Sequence, residues 1–251
     1  MSGHSHWATI KRKKGAADAR KGKIFTRIAR EIVIASREGG SDPSMNVRLE
    51  LAIDRAKAAN MPKDSIDRAI KRGTGEDKEG AVFEEILYEG YATNGVALMI
   101  ECVTENRNRT VAELRHILTR SGGTMGDPGS VSWQFDRMTY FAISSEEYDF
   151  DQIFELAVEA GADDIKQDDD LIEIFGTSSS FRDIADHLNK ANIKPDDSGI
   201  RFLPKQEISL DAEQTVKVMR VIENLEELDD VQNIYSNLDI TEEAIQLMEN
   251  S

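Results

Sequence analysis

Apolar residues in the first 73 positions recur at intervals of three and four, whereas after about residue 82 two-residue alternation appears between further helical stretches. The chain therefore predicts a helical front followed by α/β units. A first helix is predicted from Ala16 to the Gly39-Gly40 pair, with Ile24, Ile28 and Ile32 at i, i+4 and i+8 and Phe25 and Val33 beside them. In "SDPSMNVRLELAIDRAKAAN", Asp42 is placed to cap a second helix and Pro43 fits its first position. Met45, Leu49, Ala52, Ile53 and Ala56 make its apolar stripe. Pro62 opens a third, short helix through Ile66, Ala69 and Ile70, which Gly73 closes.

The polar, Gly-rich stretch Gly73 to Gly80 reads as a domain boundary. Beyond it, "VFEEILYEGY" and "VALMIECV" flank the turn "ATNG" as a hairpin. "TVAELRHILTRSGG" follows as a helix with Thr110 and Glu113 at capping-box spacing, an apolar face of Val111, Leu114, Ile117 and Leu118, and Gly122-Gly123 as its stop. After "TMGDPGS" come the strands "VSWQF" and "TYFAIS", the helix "DFDQIFELAVEAG", the strands "DDIKQ" and "LIEIFG", the helix "SFRDIADHLNKAN" and the strand "GIRFLP". Without its first strand this is β-α-β-β-α-β, the order of a ferredoxin-like sandwich. The tail, "EISL", a long helix through Val216, Met219, Ile222 and Leu225, and "DVQNIYSNL", reads as β-α-β and would complete the earlier β-β-α unit. The expected fold class is α+β multidomain. A three-helix bundle over 1–75 precedes two ferredoxin-like α/β domains, one discontinuous over 81–127 plus 205–251 and interrupted by the other at 128–204.

Charge changes this picture from architecture to function. The 251-residue chain carries a net −16, yet residues 1–75 hold 17 Lys+Arg against 8 Asp+Glu, a net +9, and the remainder is −25. Such asymmetry points to a nucleic-acid contact at one end. Its chemistry is concentrated in "GHSHWATIKRKKGAADARKGKIFTRIAREI": Lys11, Arg12, Lys13, Lys14, Arg20, Lys21, Lys23, Arg27 and Arg30 can neutralise phosphates. Trp7 and the imidazoles of His4 and His6 offer flat faces on which an unpaired base can stack. The alternative for a cation run is a solvated helix face or an address signal. No recognition-helix or zinc-finger pattern accompanies it, so reading of a specific sequence does not follow. A second candidate is "ENRNRTVAELRH", where Arg107 and Arg109 stand just before the expected helix start and suit a phosphate; the alternative is a simple loop and cap.

Other chemistry is weak. Cys102, the single cysteine, lies in an apolar run and reads as a buried small hydrophobe. "GGTMGDPGS" lacks the Lys-Ser/Thr of a phosphate loop, and Asp168–Asp170 fit a solvated turn between strands better than a cation site. His116 and His187 have no partner at metal-ligand spacing, so neither a metal nor a cofactor is expected. No nucleophile motif frames the serines, so the expected protein is not an enzyme. No apolar run approaches a membrane span and no signal peptide is visible, so a cytoplasmic protein without a membrane partner is expected.

The motifs just quoted, together with "GGSDPSMNVRL", "NMPKDSIDRAIKRG", "YEGYATNGVALMIE" and "GGTMGDPGSVSWQF", make the chain resemble the YebC/PmpR family of probable transcriptional regulatory proteins over essentially its whole length. At His6 many members carry Lys. The resemblance implies a helical domain and two α/β domains, the second interrupted by the third, and no catalytic activity. It also implies cytoplasmic DNA binding in transcriptional control. The competing implication, drawn from mitochondrial relatives that are translational activators, is a ribosome-associated factor that binds ribosomal RNA and relieves stalling at difficult stretches, with the ribosome or other proteins as partners.

Overall fold

The computed structural model describes residues 18–76, 82–168 and 170–249, with side chains omitted at 18–21, 168 and 249. Three helices open it: α1 (Asp18–Gly39), α2 (Val47–Ala58) and α3 (Lys63–Gly73). Helix α1 is central, and Ile32, Val33, Ile34 and Ala35 are all buried because α2, α3 and the following sheet cover it from several sides. The stripe differs from the expected one at its start, where Ile24 is 45% exposed and Phe25 turns inward instead.

The second helix begins later than its sequence suggests. Pro43 and Met45 lie before it, and Met45 is exposed. Asp42 instead fastens a turn by accepting from the backbone N–H and hydroxyl of Ser44. The cap is Asn46: its Oδ1 accepts from the Leu49 N–H (3.1 Å), while its Nδ2 donates to the carbonyls of Ala35 (2.8 Å) and Gly40 (2.9 Å). One amide thus starts α2 and ties it to the end of α1. Pro62 precedes α3 as expected. Gly73, its last residue, lies so close to α1 that a Cβ there would sit 2.5 Å from the Val33 carbonyl oxygen.

Strands β1 (Glu84–Tyr91) and β2 (Ala97–Thr104) form the expected hairpin, with Glu84 opposite Thr104 and Tyr91 opposite Ala97. Asn94 and Gly95, both at positive φ, make its turn. Helix α4 (Arg107–Arg120) and the two-residue β3 (Thr124–Met125) follow, β3 pairing with β1. The β1–β2 sheet is completed by β9 (Val231–Ser236), which pairs with β2, giving the order β3-β1-β2-β9. Helix α7 (Ala212–Glu226) packs beside α4, their Leu114, Leu118, Val218, Met219 and Ile222 meeting Leu98, Ile100 and Cys102 of β2. On the other face of β2, Ala97 and Met99 pack with Val131, Phe135 and Phe202, and Val103 joins Phe83 in the bundle core. Strand β2 is apolar along nearly its whole length because both its faces are covered.

Between β3 and α7 lies the interrupting unit: β4 (Phe135–Ser144), α5 (Phe150–Glu159), β5 (Asp164–Asp168), β6 (Leu171–Thr177), α6 (Phe181–Lys190) and β7 (Asp197–Pro204). Its antiparallel sheet has the order β5-β6-β4-β7, the ferredoxin-like arrangement. "VSWQF" is not a separate strand: Ser132–Gln134 form one 3-10 turn that runs directly into β4. "EISL" also departs from its sequence reading, since β8 (Ile208–Ser209) leaves the main sheet and pairs in parallel with β10 (Leu238–Asp239). A last helix, α8 (Glu242–Glu249), which the sequence pattern did not suggest, buries Ala244 and Ile245 against the α7 layer.

Candidate nucleic-acid interface

Of the predicted contact residues, His4, His6, Trp7, Lys11, Arg12, Lys13 and Lys14 lie outside the described residues, and the side chains of Arg20 and Lys21 do as well. Lys23, Arg27 and Arg30 are described, and the structure gives them partners inside the fold. Lys23 Nζ donates to the Glu227 carbonyl (3.0 Å) and pairs with its carboxylate. Arg27 donates to the Glu226 carbonyl, and Arg30 to that of Asp229. These carbonyls belong to the C-terminal end of α7 and the turn after it, where a helix leaves acceptors unpaired and concentrates negative partial charge. The cationic stripe of α1 is therefore a clamp on the helix layer of the β1–β2 sheet. Of the three, Arg30 is the most enclosed, its side chain only 11% exposed.

Arg30 ends on Asp230, the polar centre of the junction. The Asp230 side chain, 2% exposed, lies 3.0 Å from Arg30 Nη1 and receives Arg109 Nη2 at 3.1 and 3.0 Å on its two oxygens. Thr104 and Thr110 donate their hydroxyls at 2.9 and 2.7 Å, and the Asp230 carbonyl accepts from the Val103 N–H at 2.8 Å. Burial alone would raise this carboxyl; the hydrogen bonds from Thr110, Arg109 and Thr104 and the charge of Arg30 together outweigh it and hold it below the usual carboxylate range. In "EELDD" nothing in the pattern sets Asp230 apart from its neighbours, which is why sequence reasoning missed it.

The second predicted phosphate site is likewise rearranged. Helix α4 starts at Arg107, not at Thr110, and Asn106 caps it by accepting from the Arg109 N–H (3.1 Å). The Arg109 side chain folds back on Asp230, and its pKa is raised, first by that hydrogen bond and then by the carboxylate's charge. Arg107 points elsewhere, 66% exposed, with Glu84 at 3.7 Å. The two arginines do not converge on one point.

A cleft of about 470 Å³ opens between α1 and α3, lined by Phe25, Arg30, Arg68, Arg72 and Phe83. The Arg72 guanidinium lies 4.3 Å from the centroid of the Phe83 ring and that of Arg30 lies 5.4 Å away. Arg37 donates to the Phe83 carbonyl. Phe83 thus sits among three arginines and binds the bundle to the strand that follows it.

Among the described residues, no cluster of three or more His, Cys, Asp or Glu is arranged to hold a metal ion. Cys102 is buried, and burial, with Asp230 and Glu101 nearby, pushes its thiol up to about 12. Among the described residues, no helix is long and apolar enough to cross a membrane.

Fold and site together define an α+β protein whose helical front is clamped by arginines to a discontinuous α/β body. The chain belongs to the TACO1/YebC family: residues 5–76 match the family described as "TACO1/YebC protein N-terminal domain", and residues 83–238 match "TACO1/YebC second and third domain". It is 48% identical over 248 residues to a protein named "Probable transcriptional regulatory protein" from Trichlorobacter lovleyi, covering 99% of this chain and 100% of that one. A protein of the same designation from Borrelia turicatae is 47% identical over 243 residues, covering 97% of this chain and 99% of that one. The crystal structure of a conserved hypothetical protein from Aquifex aeolicus superposes with a TM-score of 0.86 at 42% identity, covering 94% of this chain and 98% of that one.

Proposed function

We propose that this protein is a cytoplasmic, non-enzymatic regulator of gene expression that holds nucleic acid through its basic N-terminal segment, with duplex DNA as the ligand. The observation that carries this reading is the charge split: a front of net +9 on a chain of net −16. With Lys23, Arg27 and Arg30 engaged by α7 and Asp230, the phosphate contacts fall to Lys11, Arg12, Lys13 and Lys14, with Arg20 and Lys21 beside them. Phosphate contacts position a protein on nucleic acid without specifying sequence, in keeping with a front that carries no recognition-helix motif. The acidic surfaces of the α/β units repel the backbone, which leaves those surfaces to keep the chain soluble or to meet protein partners. The regulatory designations of the relatives support this reading.

Replacing Lys11, Arg12, Lys13 and Lys14 by Ala tests it. The expected result is a loss of duplex affinity of about 100-fold at low salt with unchanged thermal unfolding; unchanged affinity would contradict it.

A second reading, a factor that binds ribosomal RNA on the ribosome, is favoured by Trp7, His4 and His6, because stacking suits unpaired RNA bases and is awkward on a duplex. Under it, Trp7→Ala weakens binding to single-stranded RNA by about 10-fold or more and leaves duplex DNA nearly untouched. Equal losses on the two ligands would remove this reading.

A further inference from the structure

Helices α4 and α7 lie side by side on one face of the β1–β2 sheet and share a core through Leu114, Leu118, Val218, Met219 and Ile222. Their ends fix their sense: Asp230, just past α7, holds Arg109 at the start of α4, so the two run antiparallel. Turned away from the sheet are Arg115, His116 and Arg120 on α4 and Lys217 and Arg220 on α7, all exposed, with the exposed Glu213 one turn before Lys217. On α4 the two arginines bracket the small side chains of Ala112 and Thr119, and with His116 these line an open recess of about 470 Å³.

Two observations bear on this face. Among the described residues, Arg115, Arg120, Lys217 and Arg220 have no ion pair; Lys63, Lys71, Arg137, Arg182, Lys190 and Lys194 have none either, but these four stand on two adjoining helices. These four cations outnumber the exposed carboxylate of Glu213 beside them and make the face locally positive in a chain of net −16. The face also lacks the apolar anchor that a protein partner would need. The exposed large apolar residues are Ile24, Met45, Val82, Leu87, Trp133, Phe154, Val158 and Leu247, none of them on α4 or α7. A shallow, open, cationic surface without an anchor fits an extended phosphodiester chain.

We propose that the outer face of α4 and α7 is a second nucleic-acid contact, in which Arg115, Arg120, Lys217 and Arg220 bind backbone phosphates. It rests on the nucleic-acid reading above and extends it: ligand held by the N-terminal segment also runs over the body of the protein. The clamp of α1 on α7 fixes the bundle to this layer.

The test uses the full chain and a short duplex, read by fluorescence anisotropy between about 50 and 200 mM salt. A variant with Arg115, Arg120, Lys217 and Arg220 all replaced by Gln is compared with the Lys11–Lys14 variant. A control carries Gln at Arg137, Arg182, Lys190 and Lys194, four cations of the interrupting unit. The expected result is at least a tenfold loss for the α4/α7 variant, a log–log salt slope shallower by about 2 to 4, and a much smaller change for the control. If the α4/α7 variant binds like the wild type while the Lys11–Lys14 variant does not, this face is not a contact and the reading above stands. If neither loses affinity, both fail. An equal loss in the control would show only a net-charge effect and would overturn the proposal. Thermal unfolding of each variant confirms that the surface changes leave the fold intact.

Discussion

At the scale of single residues, Asp230 shows how this chain spends charge. A carboxylate buried to 2% exposure is tolerable only if paired and hydrogen-bonded, and here two arginines and two threonines supply that. Those partners come from α1, β2 and α4, so one side chain ties the bundle to the sheet and its helix layer. Asp230→Asn keeps the volume but removes the charge opposite Arg30 and Arg109. It should cost about 3 kcal/mol in denaturant unfolding at neutral pH. The pH dependence has a definite sign. The folded carboxyl is held below its unfolded value of about 3.9, so its stabilisation is full above that pH and is lost as pH falls through the lower, folded value. Wild type and variant should therefore converge in stability on acidification, and a gap that stays constant as pH falls through the carboxyl's titration would contradict this role.

At the scale of elements, α1 shows what was legible in the sequence and what was not. Its existence, its end at Gly39 and most of its buried stripe follow from a 3.6-residue period, because burial against one neighbour writes that period. The hairpin of β1 and β2 and the β-α-β-β-α-β order of the interrupting unit were legible for the same reason. Illegible were features set by contacts between distant segments: the exposure of Ile24, the departure of β8 to pair with β10, and the use of Lys23 and Arg27 as partners for α7. A cation that meets a carbonyl some 200 positions away leaves no local pattern. The three-residue shift in the start of α4 has a local cause, since Asn106 offers a cap earlier than Thr110 does. Gly73 provides a test at this scale. A Cβ there meets the Val33 carbonyl at 2.5 Å and Ser36 Cβ at 2.7 Å, so α1 and α3 must separate. Gly73→Ala should destabilise the protein by about 1–3 kcal/mol despite the better helix propensity of alanine. Neutral or increased stability in thermal unfolding would contradict the close approach.

At the scale of the whole molecule, the cations divide into two populations with different work. Those of α1 hold the bundle to the body, and phosphate contact is the role proposed for Lys11–Lys14. Neutralising Lys23 and Arg27 should thus lower stability by about 0.3–1 kcal/mol each, the usual worth of a cation at a helix C-terminus, while shifting nucleic-acid affinity little. The expected phosphate contacts of the Lys11–Lys14 segment predict the reverse. The most direct measurement is the salt dependence of nucleic-acid affinity for the wild type and for the Lys11–Lys14 variant. About five phosphate contacts by the basic front contribute about −4.5 to the wild-type log–log slope on duplex DNA, and the variant's slope should shrink by about 3 to 4. A wild-type affinity that does not change with salt, or a variant with the same slope, would contradict the assignment of nucleic-acid binding to the basic front of the chain.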